Sequence, residues 1–107
     1  MSFPASEMRE TVSIKARSGS GAYGPIFGSA YTELWYCEPG FKRIADAKGN
    51  EVVSSLFALA PKSSTIAVGD EVTWEARRYE VIDAQPMRPR GIVSHVEVYL
   101  KSAGVLT

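Results

Sequence analysis

The chain is poor in the residues that carry metal and thiol chemistry: it has one cysteine, Cys37, and one histidine, His95. A lone cysteine cannot close a disulfide within the chain, so the fold is not disulfide-stapled, and a reducing compartment suits it. Zinc sites of the usual kind need three or four clustered ligands, and the spacing motifs that supply them are absent. The chain also lacks an excess of either charge, with twelve Lys and Arg against twelve Asp and Glu. That balance removes any global attraction to nucleic acid or to an anionic membrane. A nucleic-acid-binding domain would usually show a basic excess. No stretch approaches the roughly 18 apolar residues of a membrane span. Met1 to Glu7 has neither a basic start nor an apolar run, so it does not read as a signal peptide.

What is present is a β pattern. The 107 residues suit one domain with a modest core. The chain is organised around Val68 to Lys101. Gly69-Asp70 reads as a turn, Glu71 to Glu75 as a strand, Ala76-Arg77-Arg78 as a short turn and Tyr79 to Asp83 as a second strand. A Pro-rich turn, Gln85 to Gly91, leads to a third strand, Ile92 to Leu100. Val72 and Trp74 share a face, and Tyr79 and Val81 can lie opposite them across the hairpin. In the last strand Ile92, Val96, Val98 and Leu100 form the core face, while His95, Glu97, Tyr99 and Lys101 point away.

Upstream, residues 1–9 read as an arm. Glu10 to Arg17 alternates, with Val12, Ile14 and Ala16 on one face, as a half-buried strand does. Tyr31 to Glu38 carries apolar side chains on both faces, Leu34 and Tyr36 against Trp35 and Cys37, which predicts a strand covered on both sides. Pro39-Gly40 reads as a turn, Phe41 to Ala47 as a continuation of the sheet, and Lys48-Gly49-Asn50 as a tight turn. Glu51 to Ala60 favours a strand, although Ser54 and Ser55 blur its alternation and leave a short helix open. The sum is an all-β, single-domain barrel of six or seven mostly antiparallel strands over residues 10–101, with a short tail at 102–107.

One long connection, Ser18 to Ala30, interrupts the pattern. Its four glycines and one proline predict no regular element. It nevertheless carries Tyr23, Pro25, Ile26 and Phe27, which a purely solvated linker would avoid. Two readings stand: a floppy connection with its aromatics tucked against the barrel, or a contact loop that orders on a partner. Gly19-x-Gly21-x-x-Gly24 matches a dinucleotide fingerprint in letters, but that site needs a helix to follow directly, and Pro25 to Gly28 follows instead.

Little else suggests chemistry. A Cys37–His95 nucleophile pair would need both to meet with a third, orienting group. Cys37 sits among apolar neighbours, where cysteine behaves as a small hydrophobe. His95 lies on the polar face of its strand, as a surface or interface side chain. No carboxylates pair as general acid and base, and no cofactor is indicated; the chain does not read as an enzyme. Arg77, Arg78, Arg88 and Arg90 sit at two turns, either solvated or in contact with an acidic partner or phosphate. With His95 and the tail residues Val105 and Leu106, they are the candidate interface.

Four segments together resemble a known family: Arg43 to Val53, Val68 to Val72, Arg78 to Ile82, and His95 to Leu100. Their order and spacing resemble the head-completion, or stopper, proteins of long-tailed bacteriophages, over residues 40 to 101. Such proteins often place Gly in the hairpin turn before the Arg-Tyr pair, where this chain has Ala76-Arg77. The resemblance implies a small β-barrel in the virion neck, assembled in the host cytoplasm as a ring below the portal and adaptor. The ring closes the DNA-filled head and offers the tail a docking surface, with transient contact to packaged DNA and no membrane. A loop of each subunit gates the channel, and Ser18 to Ala30 is the candidate, with glycines as hinge and Tyr23, Ile26 and Phe27 as bulk. A ring needs two different patches on each copy. A tail-terminator-type ring protein and a cellular SH3-like binding barrel are the alternatives; the first would show a long helix, the second a groove of exposed aromatics.

Overall fold

The computed structural model describes residues 8–21, 24–45, 48–88, 91 and 94–105. Regular structure among them is strand: β1 Glu10–Lys15, β2 Arg17–Gly21, β3 Gly24–Phe27, β4 Tyr31–Ala45, β5 Glu51–Pro61, β6 Glu71–Trp74, β7 Arg77–Met87 and β8 His95–Val105. Six of them close a barrel in the order β1-β4-β5-β8-β7-β6, with β1 also paired to β6. Every pairing is antiparallel. Closure leaves the barrel without an unpaired edge.

The period-two pattern fills the interior. Val12 and Ile14 of β1 meet Trp35 of β4, Leu56, Ala58 and Ala60 of β5, Val72 and Trp74 of β6, Tyr79 and Val81 of β7, and Val96, Val98 and Leu100 of β8. The expected partnership across the β6–β7 hairpin is present, with Val72 opposite Tyr79. Glu51–Pro61 is a strand throughout, so the helical alternative falls away. Its buried Ser54 is accommodated because the hydroxyl lies 3.0 Å from the carbonyl oxygens of both Leu56 and Leu100, and so has an acceptor. Trp35 is fully buried. Its Nε1 donates to Glu33 Oε1 at 2.9 Å, and Ser64 Oγ donates to the same oxygen at 2.7 Å.

Several boundaries differ from the sequence expectation. Ser18 to Ala30 is not an irregular loop: β2 and β3 pair as a separate two-stranded sheet, with Gly19 opposite Ile26, Ser20 opposite Pro25 and Gly21 opposite Gly24. Glycine does not forbid extended backbone, and a hairpin with two open edges tolerates the missing N–H of Pro25. A register shift between Arg17 and Gly19 absorbs the mismatch.

Pro39-Gly40 is likewise not a turn. β4 runs through it, and the ladder to β5 shifts register between Pro39 and Lys42, where one extra residue on β4 takes up the lost donor. The β6–β7 turn is Glu75-Ala76, both with positive φ (50° and 61°), and Arg77 already pairs with Trp74. β7 extends to Met87, into the expected Pro-rich turn. Residues 102–105 are not tail but the end of β8, where Ser102, Gly104 and Val105 pair with Tyr79, Arg78 and Arg77. Finally, β4 is covered on one face only. Trp35 points inward, while Leu34 is 54% exposed because a single-layer barrel places nothing over it.

Candidate functional site

β1 and β4 are neighbours in the barrel, with Ile14 opposite Tyr31 at the end where the chain leaves one and enters the other. The β2–β3 hairpin is inserted at that end. Its base is fixed on both legs. On the outgoing leg, the Arg17 N–H donates to Asp70 Oδ1 at 3.0 Å. On the returning leg, the Gly28 N–H donates to the Ala16 carbonyl at 2.9 Å. Asp70 is 4% exposed, and its other oxygen accepts the Ala67 N–H at 3.0 Å. The same turn is stitched to β7 through Gly69 N–H to Val81 O and Val81 N–H to Asp70 O.

Gly69 has a φ of +94°, and a Cβ there would come within 3.0 Å of Arg17 Cδ. The left-handed backbone and the close approach both call for glycine. The Gly69-Asp70 pair therefore does more than turn the chain: it seats the hairpin.

A cleft of about 290 Å³ lies between hairpin and barrel, walled by Phe27, Tyr79 and Ala103 on its apolar side and by Arg17, Asp70, Glu71 and Glu80 on its polar side. Glu71 and Glu80 stand directly opposite each other. Like charges at that spacing repel, and lysines bracket them: Lys15 opposite Glu71 on β1, and Lys101 on β8 with its Nζ 3.6 Å from Glu80.

The expected contact residues fall into separate groups. Ile26 of the hairpin is 51% exposed and Phe27 half-buried in the cleft wall. Pro25 is placed in β3, and Tyr23 lies outside the described residues. Arg77 and Val105 are register partners at one end of β7 and β8. Arg77 is exposed, and Arg78 is half-buried opposite Thr73 and Gly104. Arg88 is exposed just past the other end of β7, where Met87 pairs with His95. Arg90 and Leu106 lie outside the described residues. The proposed interface is therefore two patches, at opposite ends of the β7–β8 ladder.

Cys37 and His95 do not assemble. Cys37 packs against the core from β4, whereas His95 is on the outward side of β8, its Nδ1 2.8 Å from Ser94 Oγ. Burial, reinforced by the Glu10 and Glu75 carboxylates, pushes the Cys37 thiol up to about 12. A thiol so protonated is a poor nucleophile. The Gly19-x-Gly21-x-x-Gly24 letters lie in β2 and β3, and strand follows Gly24. No group of three or more His, Cys, Asp or Glu able to hold a metal occurs among the described residues.

One surface escaped the sequence reading. Phe57 and Tyr99 face outward on β5 and β8, with ring centroids 5.2 Å apart and tilted by 47°. The Lys42 ammonium sits 5.5 Å from the Tyr99 ring centre. Phe41, at the β4 register shift, is 85% exposed. With Glu38, Pro39 and Gly40 these residues line a groove. The alternation of the last strand set Tyr99 away from the core, but neither the face of Phe57 nor the β5–β8 register that makes the two neighbours was legible.

The barrel has a solved counterpart. The phage-like element PBSX protein xkdH from Bacillus subtilis matches 88% of this chain over 93% of its own length, with a TM-score of 0.57 and 19% identity. At that identity the shared property is the fold. No family model matches the chain, and no curated protein matches it.

Proposed function

We propose that the chain is a structural protein of a bacteriophage neck, forming a ring that closes the DNA-filled head below the portal and adaptor and gives the tail a docking surface. The observation that carries this reading is the barrel's correspondence, over most of both chains, to a protein of a phage-like element. It agrees with the family resemblance of residues 40 to 101. In this reading the gate is the β2–β3 hairpin, a two-stranded arm on a fixed base instead of a slack loop. The arm carries Ile26 half exposed, and the Asp70 anchor gives it a defined point of swing. A chain of zero net charge suits a channel that must release DNA without gripping it.

The test is deletion of the gene from its parent phage or prophage, followed by electron microscopy of the lysate. The expected result is unjoined tails beside heads that have lost their DNA, restored by supplying the protein. Normal infectious particles would end the neck reading.

A second reading, a peptide-binding barrel of SH3-like type, is favoured by one observation: the exposed aromatic groove of Phe41, Phe57 and Tyr99. It predicts a protein that stays monomeric at all concentrations.

A further inference from the structure

We infer that a second cleft at the hairpin root, which shares Arg17, Gly69 and Glu80 with the first, binds a dianionic phosphate, free or as a monoester. The cleft measures about 280 Å³. Three cationic side chains from three separate elements line it: Arg17 of β2, Lys48 of the β4–β5 connection and Lys101 of β8. Asn50 adds an amide. One carboxylate, Glu80, lies among them, with the Lys101 Nζ 3.6 Å away. Three cations beside one carboxylate is a local excess in a chain whose charges balance overall. Val52, Val68 and Ile82 supply apolar walls. A cleft dominated by one sign of charge, with walls of low dielectric, concentrates counter-ions.

Gly69 keeps the way open for Arg17. A Cβ at that position would stand 3.0 Å from Arg17 Cδ and 3.5 Å from its Nη1. Glycine thus leaves the path along which the guanidinium passes the turn and reaches the cleft.

The charges limit the ligand to a compact, highly charged anion. A carboxylate carries one charge and is matched by one cation. A free or monoester phosphate carries close to two at neutral pH, with three strong acceptor oxygens. Arg offers it a planar fork of donors and Lys a point charge. A duplex backbone asks for something else. It presents a charge about every 1.7 Å of its axis and binds best along a track of cations. Here the adjoining cleft is lined by Asp70, Glu71 and Glu80, and these carboxylates repel a backbone that would continue past Arg17. The site therefore suits a single phosphate group. The inference goes beyond the neck reading and does not depend on it.

The experiment is an NMR titration of the isotope-labelled full chain with inorganic phosphate, exchanged against chloride at constant ionic strength. Saturable binding is expected, with a Kd on the order of 1 mM and amide shifts centred on Arg17, Lys48 to Asn50, Gly69 and Lys101. Lys48→Ala and Lys101→Ala are each expected to weaken binding by about fivefold or more. Lys42→Ala, in the aromatic groove, should leave it unchanged. Lys48 is exposed and Lys101 half-buried, and thermal unfolding of the variants checks that the barrel is intact. Phenyl phosphate separates the two sources of the group: tighter binding than inorganic phosphate identifies a monoester whose body uses the apolar walls, and binding that is no tighter identifies the free ion. Dimethyl phosphate, with a single charge, should bind more weakly than either. The inference is overturned by an absence of saturable shifts, by shifts centred elsewhere, or by lysine variants that bind as the wild type does. It is also overturned if dimethyl phosphate, or duplex DNA without terminal phosphates, binds as tightly as inorganic phosphate. None of these results touches the gene-deletion phenotype, by which the neck reading stands or falls separately.

Discussion

The Asp70 carboxylate holds the backbone of Arg17, with Oδ1 3.0 Å from the Arg17 nitrogen across 53 positions of sequence. Through this bond a turn ahead of β6 fixes the root of a hairpin inserted between β1 and β4. The sequence link is Gly69-Asp70, the packing link is the close approach of Gly69 to Arg17, and the functional link is an arm with a set direction.

Removing that carboxylate is expected to be costly. Asp70→Ala leaves the Arg17 and Ala67 N–H groups without their acceptor in a part-buried setting, and a destabilisation of about 3 kcal/mol follows. Asp70→Asn keeps one acceptor and should lose less. Urea denaturation gives the magnitude. Hydrogen exchange locates it: the Arg17 and Gly28 amides should exchange faster in Asp70→Ala than those of β5 and β8. A uniform loss of protection over the barrel would argue against a local anchor.

The β6–β7 turn carries strain that a single substitution relieves. Glu75 and Ala76 both have positive φ, as the two-residue turns that best fit antiparallel strands require, and glycine is favoured there over alanine. Ala76→Gly is expected to stabilise the protein by about 1 kcal/mol, after the entropy that glycine adds to the unfolded chain is counted. The denaturation midpoint should rise with unchanged slope. A fall would mean that the Ala76 methyl makes a contact worth more than the strain.

Cys37 gives the barrel an alkaline weakness. In the folded chain its thiol is pushed up to about 12 from an ordinary value of 9.0. Between those values the folded state keeps a proton that the unfolded state releases, so stability is full below pH 9 and is lost as pH rises toward 12. Cys37→Ala should flatten that alkaline slope while leaving the neutral-pH profile unchanged in shape. At pH 8 the native thiol should resist a disulfide reagent and react fully in denaturant.

The β architecture was legible because its cause is local. Alternation at Val12 and Ile14, at Val72 and Trp74, and at Val96, Val98 and Leu100 needs only period two and one buried face. The hairpin at 17–27 was not legible, since glycine weakens strand propensity and no apolar stripe marks a sheet outside the core. Nor was the passage of β4 through Pro39-Gly40, because a bulge in a paired strand and a turn share the same residue types. The contact surfaces depend on register, which carries a long-range bond such as Arg17 to Asp70 or sets Phe57 beside Tyr99. Neither composition nor spacing records it.

The most direct measurement of the central account is DNA retention by heads that carry a shortened hairpin. The gene deletion is complemented with a chain in which residues 18–27 are replaced by a two-residue link, and DNase-protected DNA is measured per assembled particle. The account predicts that the barrel still folds and is incorporated, and that the protected DNA is lost. Particles that incorporate the shortened protein and retain a full complement of DNA would contradict it.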